Sequence, residues 1–145
     1  MLVVAVLVAL GLGAWRSVTN GVFRGTRRVP GASAPRGFET GVASVLTGTA
    51  YDAQRGERAT LVQFSSAFCA PCRATRRTLA DVANVVPGVE HVEIDAEQHL
   101  ELVRALGVLR TPTTLVLDAG GREITRASGA PRPAQVLAAL GEVVA

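Results

Sequence analysis

The chain predicts an α/β sandwich, and three observations carry the prediction. Short apolar, β-branched runs alternate with amphipathic stretches of helical period from about residue 58 to the end. A Gly120-Gly121 pair separates two strand-like runs, as in a hairpin. A long apolar segment stands apart at the N-terminus and predicts a hydrophobic helix before the domain.

The elements follow in order. Leu2 to Trp15 is apolar apart from glycines. As a helix, residues 1–15 reach about 22 Å, short of a hydrocarbon core of about 30 Å. A membrane anchor over 1–16 is the first expectation, with Trp15 at the interface and Arg16 snorkelling to headgroups. A cleaved signal peptide is the second reading, against which no basic stretch precedes the apolar run. A helix buried in the domain is the third. Residues 17–38, rich in Gly, Arg, Ser and Pro, predict a basic flexible linker, and the globular domain is expected over 39–145. Val42 to Leu46 reads as a short strand or a helical turn.

Thr60 to Phe64 reads as a buried strand, and Ser65 to Phe68 as a short turn. From Arg73 to Val86, Leu79, Val82, Ala83 and Val86 recur at helical spacing, with Pro71 in the first turn, where a missing N–H costs nothing. Val89 to Ile94 is a second strand. Ala96 to Leu106 is a helix with Leu102, Val103 and Leu106 inward, ended by Gly107. Thr113 to Leu117 and Glu123 to Ala127 form the hairpin. Pro133 to Val144 is a last helix with Val136, Leu137, Leu140, Val143 and Val144 on one face.

Charge is divided unevenly along the 145 residues. All 15 basic side chains are arginine, which excludes lysine Schiff-base chemistry. Residues 1–38 hold five arginines and no acid; residues 39–145 hold ten arginines against twelve acids, a balance of −2. A basic nucleic-acid-binding face is therefore not expected. Arg16, Arg24, Arg27, Arg28 and Arg36 all follow the apolar segment, which by the positive-inside rule puts the C-terminal domain in the cytoplasm of a membrane-anchored protein. The same arginines suit anionic headgroups.

Cys69-Ala70-Pro71-Cys72 holds the only two cysteines. A lone CxxC can be half a zinc site, a metal-transfer loop or a redox dithiol. A structural zinc site needs four ligands, which here would have to include both His91 and His99. The dithiol instead lies where a helix leaves a buried strand. Free N–H groups and the helix dipole favour a thiolate there. Cys69 is expected to be the exposed sulfur of lowered pKa, and Cys72 the inner one that resolves a mixed disulfide. Arg73, Arg76 and Arg77 give that helix a positive patch, either a plain solvated face or a lure for acidic partners.

With its strand, loop and cysteines, Phe64-Ser65-Ser66-Ala67-Phe68-Cys69-Ala70-Pro71-Cys72 resembles the active site of the thioredoxin-like family. Gly107-Val108-Leu109-Arg110-Thr111-Pro112-Thr113 resembles that family's second landmark, a cis-proline before a strand. Asp118-Ala119-Gly120-Gly121 and Ser128-Gly129 match its last hairpin and the glycine before its last helix, so the likeness covers roughly residues 58 to 145. It implies a three-layer sandwich with a central mixed sheet, and a thiol–disulfide oxidoreductase that needs no cofactor and no metal. It implies disulfide-containing protein substrates and an electron donor that the sequence does not name. Thr111 and a cis Pro112 would bind substrate main chain beside Phe68, Ala70 and Pro71.

Four positions depart from the family pattern. Phe68 stands for the usual Trp, Ala70 for Gly, Gln63 for a buried strand Asp, and His91 for Lys. Gln63 cannot accept a proton at neutral pH, so His91 is the candidate to replace part of a proton relay. These changes favour a specialised relative. In a reducing cytoplasm the dithiol would rest reduced and act as a reductant. The alternatives are an extracytoplasmic disulfide-handling protein, a soft-metal transfer module using Cys69 and Cys72, and a non-catalytic adaptor.

Overall fold

The computed structural model describes residues 1–25 and 44–145. Among these residues, five strands form one mixed sheet in the order β1-β5-β4-β2-β3. They are β1 (Phe23–Gly25), β2 (Ala59–Ser65), β3 (Val89–Asp95), β4 (Thr113–Asp118) and β5 (Glu123–Ser128). The helices are α1 (Leu2–Thr19), α2 (Ala70–Val85), α3 (Leu100–Ala105) and α4 (Pro133–Val144). β2 runs parallel to β3 and antiparallel to β4, and β5 is antiparallel to both β4 and β1.

All seven residues of β2 are buried, which is why it reads as an unbroken run rather than an alternation. Its two faces feed two cores. Ala59 and Leu61 join Leu79 and Val82 of α2 and Val136, Ala139 and Leu140 of α4. Val62 and Phe64 join Val92, Ile94, Leu115 and Leu117, with Leu102, Val103 and Leu106 packed against them. The result is the expected three-layer sandwich. Leu46, within the turn-rich residues 44–58, closes the second core. Gly121, at φ 78°, turns the β4–β5 hairpin so close to Ser44 that a Cβ there would collide with it.

Several expectations are corrected. α1 continues past residue 16 to Thr19, and β1 takes residues 23–25, so this much of the expected 17–38 linker is ordered structure. Three residues are too short to show a strand period; β1 exists because the edge of β5 offers backbone partners (Phe23 to Ala127, Gly25 to Thr125). The rest of that linker, and the expected start of the domain at 39, lie outside the described residues. The segment from Ser44 to Arg58 contains turns and a 3₁₀ turn at Asp52–Gln54, with no strand among its described residues. α3 begins at Leu100, not Ala96, because Asp95 Oδ1 takes the Glu97 N–H at 2.8 Å and holds a turn instead. Leu137 of α4 is exposed.

The expected membrane-spanning anchor is not found: among the described residues no helix is long and apolar enough to cross a membrane. The apolar run of α1 stops at Trp15, and its last turn carries Arg16 and Thr19. The helix is nevertheless exposed, with Val3, Leu7, Leu10 and Trp15 all more than 60% accessible and none of its described side chains in either core.

Candidate active site

β2 and β3 end on the same edge of the sheet, and the turn after β2 delivers the chain to α2. Cys69 is the N-cap of α2, and Pro71 occupies its first turn. Cys69 and Cys72 are joined as a disulfide, with Cα atoms 5.2 Å apart. The Cys72 backbone N–H donates to Cys69 Sγ at 3.2 Å. A helix N-terminus thus points a donor at that sulfur, which favours negative charge on it when the bond is open. Cys69 is half-buried and Cys72 only 2% accessible. The structure thus places Cys69 as the outer sulfur and Cys72 as the inner one.

Around the disulfide, Ala67, Phe68, Ala70 and Pro71 are exposed, Phe68 at 99%. The Thr111–Pro112 peptide is cis. The Thr111 hydroxyl lies 3.0 Å from that of Ser66, and the Ser66 carbonyl accepts the Cys69 N–H at 3.3 Å. The proline loop and the cysteine loop are therefore tied directly together. Leu109, two residues before Thr111, is 96% accessible.

Beneath the disulfide, Gln63 is fully buried. Its Nε2 donates to the Cys72 carbonyl at 2.9 Å. That carbonyl can only accept, so Gln63 Oε1 faces His91, and His91 Nε2, at 3.2 Å, must be the donor. One of these bonds runs to backbone and the other joins two side chains; neither ends on a sulfur. Gln63 and His91, the candidates for a proton relay, form a brace in this structure: β3 holds β2, and β2 holds the first turn of α2.

Sequence reasoning missed the neighbours of this brace. Arg76 Nη2 donates to Glu93 Oε1 at 2.7 Å, and the Ser65 hydroxyl donates to the same oxygen at 2.6 Å. Glu93 shares the sheet face of His91 two residues earlier, a signal available from strand alternation; Ser65 and Ser66 stood only within the quoted loop motif, with no role of their own. Burial opposes the Glu93 charge, but the bonds from Arg76 and Ser65 outweigh it and hold the carboxyl below its ordinary range. A cavity of about 460 Å³ beside the disulfide is lined by Cys69, Cys72, Arg73, Arg76 and Glu93 among others. Among the described residues no group of three His, Cys, Asp or Glu is placed to hold a metal ion.

Burial pushes His91 below its usual pKa; the Glu93 carboxylate opposes this and the Arg76 cation adds to it. The unfolded chain then binds more protons than the folded one below about pH 6.5. Stability should fall as pH drops below that value, with the Glu93 contribution lost only in stronger acid. Denaturant titrations between pH 7 and 5 should show a shallower decline for His91→Gln than for the parent chain. Parallel declines would sink the assignment.

A disulfide at a helix N-terminus, one sulfur accessible and one enclosed, tied to a cis-proline loop, defines a protein of thiol–disulfide exchange. The family model for a thioredoxin-like domain matches residues 50–144, and the chain belongs to that family. It is 29% identical over 118 residues to Thioredoxin H2-2 of Oryza sativa subsp. japonica, covering 77% of this chain and 87% of that one. It is likewise 29% identical to the Thioredoxin of Alicyclobacillus acidocaldarius subsp. acidocaldarius, over 62% and 86% of the two chains. The solved Fasciola hepatica thioredoxin superposes with a TM-score of 0.55 at 26% identity, covering 64% of this chain and 86% of that one. The protein is a thiol–disulfide oxidoreductase of the thioredoxin-like family.

Proposed function

We propose that this oxidoreductase reduces protein disulfides and works at a lipid surface that covers α1. The observation that carries the chemistry is the pairing of Cys69 Sγ with the Cys72 N–H at the start of α2. In the reduced protein, the Cys69 thiolate attacks one sulfur of a substrate disulfide. That bond breaks, a mixed disulfide forms, and the departing substrate thiolate takes a proton from water. Cys72 then gives up its proton to water and attacks Cys69 Sγ, releasing the second substrate thiolate. Two electrons have passed to the substrate, and the protein is left as the Cys69–Cys72 disulfide until a donor returns two electrons. Phe68, Ala70 and Pro71 form the platform beside the sulfurs, and Thr111 and Pro112 receive the substrate main chain. The exposure of Phe68 supports a macromolecular substrate that covers it.

The lipid reading rests on α1. A helix that is apolar all round is stable only when covered, and neither core covers this one. Arg16 and Arg24 at its domain end suit the anionic cytoplasmic leaflet, which would put the dithiol in a reducing compartment. The test is a membrane-impermeant thiol reagent on intact cells and membrane fractions. Cys69 should fractionate with membranes and be labelled only after permeabilisation. Recovery in the unbound fraction would overturn the lipid reading, and labelling of intact cells would overturn the orientation and favour an extracytoplasmic disulfide-handling role.

A further inference from the structure

α1 does not join the domain at an arbitrary point. Asn20, the cap that follows it, accepts a hydrogen bond on Oδ1 from Arg110 Nη2 at 2.9 Å, and the same nitrogen donates to the Ser128 carbonyl at 2.6 Å. The Gly21 N–H donates to that carbonyl as well, at 2.9 Å. Gly21 and Gly129 make the approach possible: both have positive φ, 74° and 99°, and a Cβ on Gly21 would lie 2.2 Å from the Ala130 carbonyl oxygen. Gly129 in turn donates to the Pro112 carbonyl at 2.7 Å. Arg110 is followed by Thr111, whose hydroxyl meets Ser66, whose carbonyl meets the Cys69 N–H. A continuous series of hydrogen bonds and chain links thus runs from the end of α1 to the disulfide.

The strand directions agree. β1 leaves α1 beside Ala127 and runs away from this end. The disulfide follows the C-terminal end of β2, which pairs with the start of β4. The β4–β5 turn at Ala119 lies at the opposite end, separated by the six residues of β4, about 20 Å. The last turn of α1 therefore enters the domain at the end of the sheet that carries the sulfurs, opposite Ala119.

We infer that the Asn20–Arg110 contact makes α1 a strut that turns the dithiol edge toward the lipid surface, so that the substrates are disulfides in the lipid-proximal segments of proteins of the same membrane. The inference rests on the lipid reading of α1. Around this edge, the nearly bare Phe68 and Leu109 offer apolar contact to such segments, and the exposed Arg16 and Arg73 offer cations to the headgroups among which they lie.

The test uses the full chain on vesicles of phosphatidylcholine and phosphatidylglycerol, some carrying nitroxide-labelled headgroups. One preparation is Cys72→Ser with a fluorophore on Cys69. The other is Cys69→Ser, Cys72→Ser, Ala119→Cys with the fluorophore at position 119. Both should float with the vesicles, and the label at 69 should be quenched several-fold more than the label at 119. Asn20→Ala with Arg110→Ala should keep flotation and bring the two quenching values together. Equal or reversed quenching in floating protein overturns the strut while leaving the lipid reading intact. Failure to float overturns the lipid reading and the strut with it.

Discussion

Cys72→Ser should convert the protein from a catalyst into a trap. Cys69 keeps its place at the α2 N-terminus and its donor, the N–H of residue 72, so it still attacks substrate disulfides. Resolution by Cys72 is an intramolecular step with sulfurs already in bonding reach, and its loss should lower turnover by roughly three orders of magnitude. A mixed disulfide should accumulate, seen as a mass increase released by dithiothreitol. Cys69→Ser should give neither turnover nor adduct, because the enclosed Cys72 does not reach a protein substrate. Sustained turnover by Cys72→Ser, or an adduct on Cys72 in the other variant, would refute the assignment of the two sulfurs.

Phe64→Ala should be the most damaging change to the fold. The ring is fully buried in the second core, one residue before the turn that leads to the dithiol. Truncation removes its transfer free energy and leaves a cavity between the sheet and the α3 layer, costing about 3–5 kcal/mol. Against a total stability of about 5–15 kcal/mol that leaves a marginal domain. Phe68→Ala, four residues on and 99% accessible, should stay within about 0.5 kcal/mol of the parent. Urea midpoints at equal m-value report both. A Phe64→Ala loss below about 1 kcal/mol would mean that the second core closes without it.

Much of this was legible in the sequence. β2, α2, β3, the β4–β5 hairpin and α4 announce themselves through apolar period, a proline in the first helical turn and a Gly-Gly turn, all of which act over a few residues. The buried polar residues were not legible in the same way. Gln63 in a fully buried strand makes sense only with the Cys72 carbonyl and His91 beside it, and β1 only with the edge of β5. The apolar length of α1 was plain, but where it meets the domain was not.

The sequence by itself determined the reactive centre. Two cysteines three positions apart at the start of a helix meet each other and the helix's own N–H groups through local geometry alone. Only the tertiary structure decided that His91 meets Gln63 and Gln63 meets the Cys72 carbonyl, and that Asn20 meets Arg110 across ninety positions of chain. The reason is physical: a hydrogen-bond partner supplied by another strand or loop is chosen by the order in which the sheet closes, and nothing in the residues on either side of Asn20 or Gln63 specifies that order.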